Sequence, residues 1–168
     1  PIAPDNNHNK LRKDAAKALE DMNKDALKED YHLVLNSGYR SYDEQVEIYN
    51  DYFNRYDEVT ASGLVAKPGS SEHQLGLGVD LTSQSVIDKK RMVFGDTDEY
   101  KWVIKNCAKY GFIIRFENGT DGITGIAHEP WHLRYVGKKA AKIIYDNNWT
   151  LEEYILKYGF DYELKKID

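Results

Sequence analysis

Pro68-Gly69-Ser70-Ser71-Glu72-His73-Gln74-Leu75-Gly76-Leu77-Gly78-Val79-Asp80 combines a turn signal, two common metal-ligand types and glycines that permit tight bends and close approach. After Gly78 the chain alternates apolar and polar residues, so Val79 and Leu81 face a core and Asp80 faces away from it. The pattern predicts a glycine-rich turn feeding a half-buried strand. On these residues alone, a solvated turn and strand edge accounts for His73 and Asp80 without any chemistry.

A second stretch, His128-Glu129-Pro130-Trp131-His132-Leu133-Arg134-Tyr135, changes that reading. His132 completes a set of two histidines and one aspartate with His73 and Asp80. Three protein ligands leave a fourth position on zinc for water, which separates a catalytic site from a closed structural one. Glu129, beside the third ligand but not on the metal, is the expected general base. In an ideal strand Glu129 and His132 point to opposite faces. The assignment therefore requires a turn or bulge around Pro130.

Ser71-Glu72-His73 through Gly76 to Asp80, followed by Glu129-Pro130-Trp131-His132, resembles the paired signature of the VanY-type D,D- and L,D-carboxypeptidases. These belong to the wider group of zinc peptidases that includes lysostaphin and the D-Ala-D-Ala dipeptidases. The resemblance runs from about residue 37 to residue 154. It implies Zn2+ as cofactor, held by His73, Asp80 and His132, with Glu129 as base. It also implies a role for Arg40, in Ser37-Gly38-Tyr39-Arg40-Ser41, in stabilising substrate and transition state. Arg40 sits where a strand gives way to a helix, and a fixed guanidinium fork suits a carboxylate or oxyanion. Ser71 and Gln45 match positions that hold the substrate, and Trp131 is expected as a wall of the site. Gly78 stands where the family more often has alanine, from which a looser backbone with intact ligands is expected.

The chain has 168 residues, enough for one domain with a real core. Residues 1–10 read as a polar lead-in or linker end, 11–160 as a single zinc carboxypeptidase domain, and 161–168 as a charged tail. The net charge is −5 with scattered basic residues, which opposes a nucleic-acid footprint. No run is long and apolar enough to span a membrane. The lone Cys107 rules out an internal disulfide and reads as a buried apolar residue. The chain starts at Pro1 rather than Met, so it is expected to be a mature or trimmed fragment.

A helix is predicted over 11–27, with Leu11, Ala15, Ala18, Leu19, Met22 and Ala26 on one face. A strand follows at 32–35. Ser41 and Glu44 form a capping box for a helix ending near Tyr56, and residues 57–67 read as a connecting loop. Thr97 or Asp96 caps a helix closed by Gly111. Phe112–Phe116, continuously apolar apart from Arg115, reads as a central strand; Arg115 faces either a substrate groove or an acid. His128 reads as a bystander. Helices are predicted at 138–147 and from a cap at Thr150 to Tyr158. The order of elements suggests an α+β fold, a mainly antiparallel central sheet with helices packed on it and the zinc site on its open face.

The resemblance implies removal of a C-terminal D-Ala from a peptidoglycan stem peptide, outside the cytoplasm, by a secreted chain or one anchored through a segment absent here. D,D-carboxypeptidase activity is favoured; L,D-carboxypeptidase, D,D-dipeptidase and endopeptidase activities stay open. Outside the enzyme class, the alternative is a peptidoglycan-binding module that has lost catalysis; the presence of Glu129 argues against it.

Overall fold

The computed structural model describes residues 9–91 and 93–159. The expected tail at 161–168, and all but the end of the expected lead-in, lie outside the described residues. The element order is α1 (Lys13–Lys28), β1 (Leu33–Ser37), α2 (Tyr42–Arg55), α3 (Glu58–Leu64), β2 (Gly78–Ser83), α4 (Gln84–Ile87), α5 (Asp98–Tyr110), β3 (Phe112–Phe116), α6 (Asp121–Thr124), β4 (Glu129–Tyr135), α7 (Lys138–Asn147) and α8 (Leu151–Tyr158). Single 3-10 turns at Glu72–Leu75 and Phe94–Asp96 link some of them. The four strands form one open, fully antiparallel sheet in the order β1-β2-β4-β3. The α+β expectation is met. Among the described residues no helix is long and apolar enough to cross a membrane.

Strand alternation divides the sheet chemically. Leu33, Leu35, Val79, Leu81, Leu133, Phe112 and Ile114 pack with Ala18, Met22 and Ala26 of α1 and Trp102, Val103 and Cys107 of α5 into the main core. Asp80 and His132, one residue out of phase with Val79 and Leu133, are directed to the opposite face. Helices are not confined to one side. Ile113, Ala108, Ala140, Ala141, Ile144, Leu151 and Tyr154 form a second cluster that wraps α7 and α8 around the β3 edge. This explains why Phe112–Phe116, read from sequence as a central strand, is an edge strand: its apolar run is covered on both faces by helices, not flanked by strands on both sides.

Local chemistry sets the boundaries. The Ser41 hydroxyl accepts from Glu44 N while Glu44 accepts from Ser41 N, and the same reciprocal pair joins Thr150 and Glu153. Thr97 caps α5. Residues 57–67, expected as a loop, contain α3, because the Asp57 carboxylate accepts from Val59 N and Thr60 N. Gly111 ends α5 at φ 94°, where a Cβ would lie 2.8 Å from Tyr135 Cε2 and 3.0 Å from the Gly137 carbonyl carbon. Gly111→Ala is expected to destabilise the fold by about 1–3 kcal/mol. The check is a lower urea midpoint with an unchanged m-value; an unchanged midpoint would show that the turn yields freely.

Candidate active site

The site grows from one register pair. Asp80 on β2 lies opposite His132 on β4, and Asp80 Oδ1 is 2.8 Å from His132 Nδ1. His73 comes from the 3-10 turn just before β2, where Gly76 at φ 68° reverses the chain. His73 Nε2 stands 3.3 Å from Asp80 Oδ2. Its Nδ1 lies 2.6 Å from the Gly38 carbonyl oxygen. A carbonyl can only accept, so Nδ1 carries a proton and Nε2 is the nitrogen turned toward Asp80. Donor atoms of His73, Asp80 and His132 all lie within 4.8 Å of one another and are close enough to bind one metal ion. Donors around a tetrahedral zinc are ~3.4 Å apart for bonds of ~2.1 Å. Two imidazoles and a carboxylate suit zinc chemically.

Gly78 is buried and paired with Arg134 rather than loosely held. A Cβ there would lie 3.0 Å from His73 N and 3.2 Å from His132 Cε1. The missing methyl lets the turn and the second imidazole close on the strand, so the expected slackness is absent.

The distortion that Glu129 needs is present in β4. Register passes from Ile114↔Leu133 to Phe116↔Glu129, so β4 advances from Leu133 to Glu129 while β3 advances only from Ile114 to Phe116. The extra residues form a bulge at Pro130 and Trp131. Glu129 and His132 thereby line the same cleft, together with Arg40, Gln45, Ser71, His73, Asp80 and Trp131. Burial pushes the Glu129 carboxyl up to about 7, against the pull of the neighbouring His132 charge. Burial also disfavours Asp80 ionisation, but hydrogen bonds with His132 and His73 outweigh it and hold that carboxyl well below the usual range. Two carboxyls in one cleft thus hold protons very differently.

Arg40 is fixed at the strand-to-helix junction. Its Nη1 donates to Gln45 Oε1 at 2.9 Å, its Nη2 lies 4.0 Å from Asp80 Oδ2, and its backbone N donates to His73 O at 3.2 Å. Gln45 is 1% exposed and its Nε2 donates to Ala66 O at 2.7 Å. Both ends of that amide are engaged, and one of them steadies Arg40. Ser71 is buried and makes no side-chain capping bond in the turn that follows it. Trp131 is 40% exposed at the rim of a cleft of roughly 600 Å³. Tyr52, Tyr56, Leu64 and Val65 line another wall, and Ala127 N donates to Gly63 O at 3.2 Å, tying α3 to the approach to β4. His128, expected as a bystander, lines the cleft too, with its Nδ1 2.9 Å from Phe116 O.

Sequence reasoning overlooked Glu72 and Arg134. Glu72 Oε2 lies 3.2 Å from His132 Nε2. Arg115, left open between groove and acid, bonds Glu72 through Nε at 2.8 Å and also pairs with Glu152. Arg134 Nη1 is 3.3 Å from Glu72 Oε1. Burial opposes the charge of Glu72, but the hydrogen bond with His132 and the Arg134 and Arg115 charges hold its carboxyl at about 2. The signal was available: Arg134 shares the period of His132 on β4, and two arginines near a buried site require an acid.

Comparison with known proteins agrees with this geometry. A Bacillus subtilis (strain 168) protein, YodJ, provisionally described as a carboxypeptidase, is 51% identical over 147 residues, 88% of this chain and 54% of its own length. A D-alanyl-D-alanine carboxypeptidase of Enterococcus faecium is 37% identical over 146 residues, 86% of this chain and 44% of its own. The chain spans about half the length of these curated relatives. Among solved structures, the LdcB LD-carboxypeptidase, studied for peptidoglycan recognition, superposes with TM-score 0.84 at 47% identity, over 92% of this chain and 72% of that one. VanYB in complex with D-alanine-D-alanine gives 0.79 at 32%, over 88% and 83%. A VanY D,D-pentapeptidase variant from a VanB-type vancomycin-resistance cassette, in complex with Zn(II), gives 0.77 at 33%, over 86% and 83%. The family model for VanY, D-alanyl-D-alanine carboxypeptidase, matches residues 8–138, and the chain belongs to that family.

Proposed function

We propose that residues 11–160 form a single zinc carboxypeptidase domain that removes a C-terminal D-Ala from peptidoglycan stem peptides. D,D-carboxypeptidase activity is the favoured form. The observation that carries this reading is the convergence of three metal ligands, a desolvated carboxyl and a fixed guanidinium on one cleft. A family relative bound to Zn(II) and another bound to D-alanine-D-alanine support the cofactor and the substrate class. LdcB, an LD-carboxypeptidase of higher identity, keeps L,D-carboxypeptidase activity as the second reading. The substrate class places the reaction outside the cytoplasm.

His73, Asp80 and His132 would hold the zinc, which supplies Lewis-acid activation of water and of the scissile carbonyl. Glu129 takes the proton of the attacking water and returns it to the leaving amine, and a carboxyl titrating at about 7 suits both transfers near neutral pH. Arg40, held by Gln45, presents guanidinium N–H groups to the substrate carboxylate or the developing oxyanion. Gln45 acts through Arg40. Ser71 contributes a hydroxyl to the substrate terminus, and Trp131 shields the cleft from water.

The defining test is mass-spectrometric cleavage by the zinc-loaded protein of a pentapeptide ending D-Ala-D-Ala, the matching tetrapeptide and free D-Ala-D-Ala. Loss of one D-Ala from the pentapeptide is expected; cleavage of the tetrapeptide alone would establish the L,D reading. No cleavage of any of the three would overturn the carboxypeptidase assignment. Chelation should abolish turnover, and zinc should restore it. Glu129→Ala should lower turnover by ~10²–10⁴-fold, and Arg40→Ala by ~10²–10³-fold.

Glu129 also makes a stability prediction. Its carboxyl is raised from 4.5 to about 7 in the fold, so the stability it contributes is full below pH 4.5 and lost as pH rises through 7. With chelator present, Glu129→Gln should unfold at a higher temperature than the parent at pH 8, and the gap should close near pH 4.5. A gap independent of pH would count against desolvation of this carboxyl.

A further inference from the structure

We propose that Glu72 is a positioning residue for the metal centre: it holds the proton of His132 on Nε2 and so commits Nδ1 of that ring to the cation. The inference rests on the metal-site reading above and assigns a role to a residue outside the set of three ligands.

The carboxylate of Glu72 is divided between two tasks. Arg115 Nε and Arg134 Nη1 both address Oε1, at 2.8 and 3.3 Å. That leaves Oε2 to His132 Nε2 at 3.2 Å. Glu72 and Asp80 face the two ring nitrogens, and each ionised carboxylate can only accept. Nδ1 faces Asp80 at 2.8 Å, on the side where His73 Nε2 also converges; a cation held by these ligands takes the Nδ1 lone pair in place of a proton, and Nε2 keeps its proton for Glu72. Swapping the roles of the two ring nitrogens would aim a lone pair at Glu72 and a proton at the metal position. An imidazole ligand oriented by a carboxylate on its second nitrogen binds metal more tightly, because its tautomer and ring plane are set in advance and its basicity is raised. Phe116, stacked on the His132 ring at 5.2 Å between centroids and 26° between planes, limits rotation from another direction.

Glu72 is in turn held from a distance. Arg115 spends its remaining N–H groups on Glu152, with Nη1 3.0 Å from Oε2 and Nη2 on Oε1. The side chains of Glu72 and Arg115 are 14% and 10% exposed, so these charges are only weakly screened by solvent. Glu152 stands in the first turn of α8, beyond residue 138 where the family match stops. The line Glu152–Arg115–Glu72–His132 therefore runs from the last described helix to a metal ligand.

The experiment compares the full chain with its Glu72→Gln and Glu152→Gln variants. Zinc affinity is measured by competition with a chelator of known affinity, and thermal unfolding of the zinc-free proteins shows whether each variant is folded. The parent should bind one zinc, Glu72→Gln should bind it ~10–100-fold more weakly, and Glu152→Gln should show a smaller drop in the same direction. In the zinc-loaded parent, long-range ¹⁵N–¹H spectra of the imidazoles should show His132 protonated on Nε2. Zinc on Nε2 of His132, or a folded Glu72→Gln with affinity equal to the parent's, would overturn the proposal. Should Glu72→Gln fail to fold, the ring spectrum of the parent and the Glu152→Gln affinity decide it. Failure of the parent itself to bind zinc would overturn the metal reading, and this proposal with it.

Discussion

The antiparallel pairing of β2 with β4 is the constraint on which the rest depends. It sets Asp80 against His132 on one face and Val79 against Leu133 on the other. One register therefore fixes a metal site and a core together, and slipping it by a residue would send both to the wrong side. Val79 and Leu133 are wholly buried, so the hydrophobic face enforces the pairing that the polar face uses. The apolar contacts on the back of the sheet thus hold Asp80 and His132 opposite each other.

Around this pair the site is assembled from irregular pieces. The β1 bulge after Leu35 leads to the turn that carries Arg40. The 3-10 turn carries His73, and the β4 bulge carries Glu129. The first two pieces are tied by hydrogen bonds, Arg40 N to His73 O and His73 Nδ1 to Gly38 O. Charges that would be costly in isolation are matched, Arg115 and Arg134 against Glu72 and Glu152. Among the described carboxyls of the cleft, Glu129 makes no such ion pair, and burial holds its proton up to about 7.

Much of this was legible in the chain. Capping boxes at Ser41 and Thr150, the Thr97 cap and the Gly111 terminus are local, so residue type and spacing suffice to find them. The ligand set and the need for a bulge at Pro130 followed from two short motifs and the strand period. The edge position of β3 was not legible, because a continuous apolar run reports burial on both faces and not what covers them. Glu72 escaped because its partners, at positions 115, 132, 134 and through Arg115 at 152, are distant in sequence and meet only through topology. Helix α3 was missed because Thr60, Ser62 and Gly63 have loop-like composition, while the cap that starts it rests on one residue, Asp57.

The bulge in β4 has a bearing on how the motif is written along the chain. Pro130 and Trp131 lie between base and ligand as spacers in a strand that must gain residues over its neighbour. What the fold reads there is a count rather than a pair of side chains. β4 takes two more residues than β3 between Leu133 and Glu129, so removing one residue there would change the offset at which Glu129 meets the cleft. The spacing between base and ligand is thus itself part of the site, as much as the two side chains it separates.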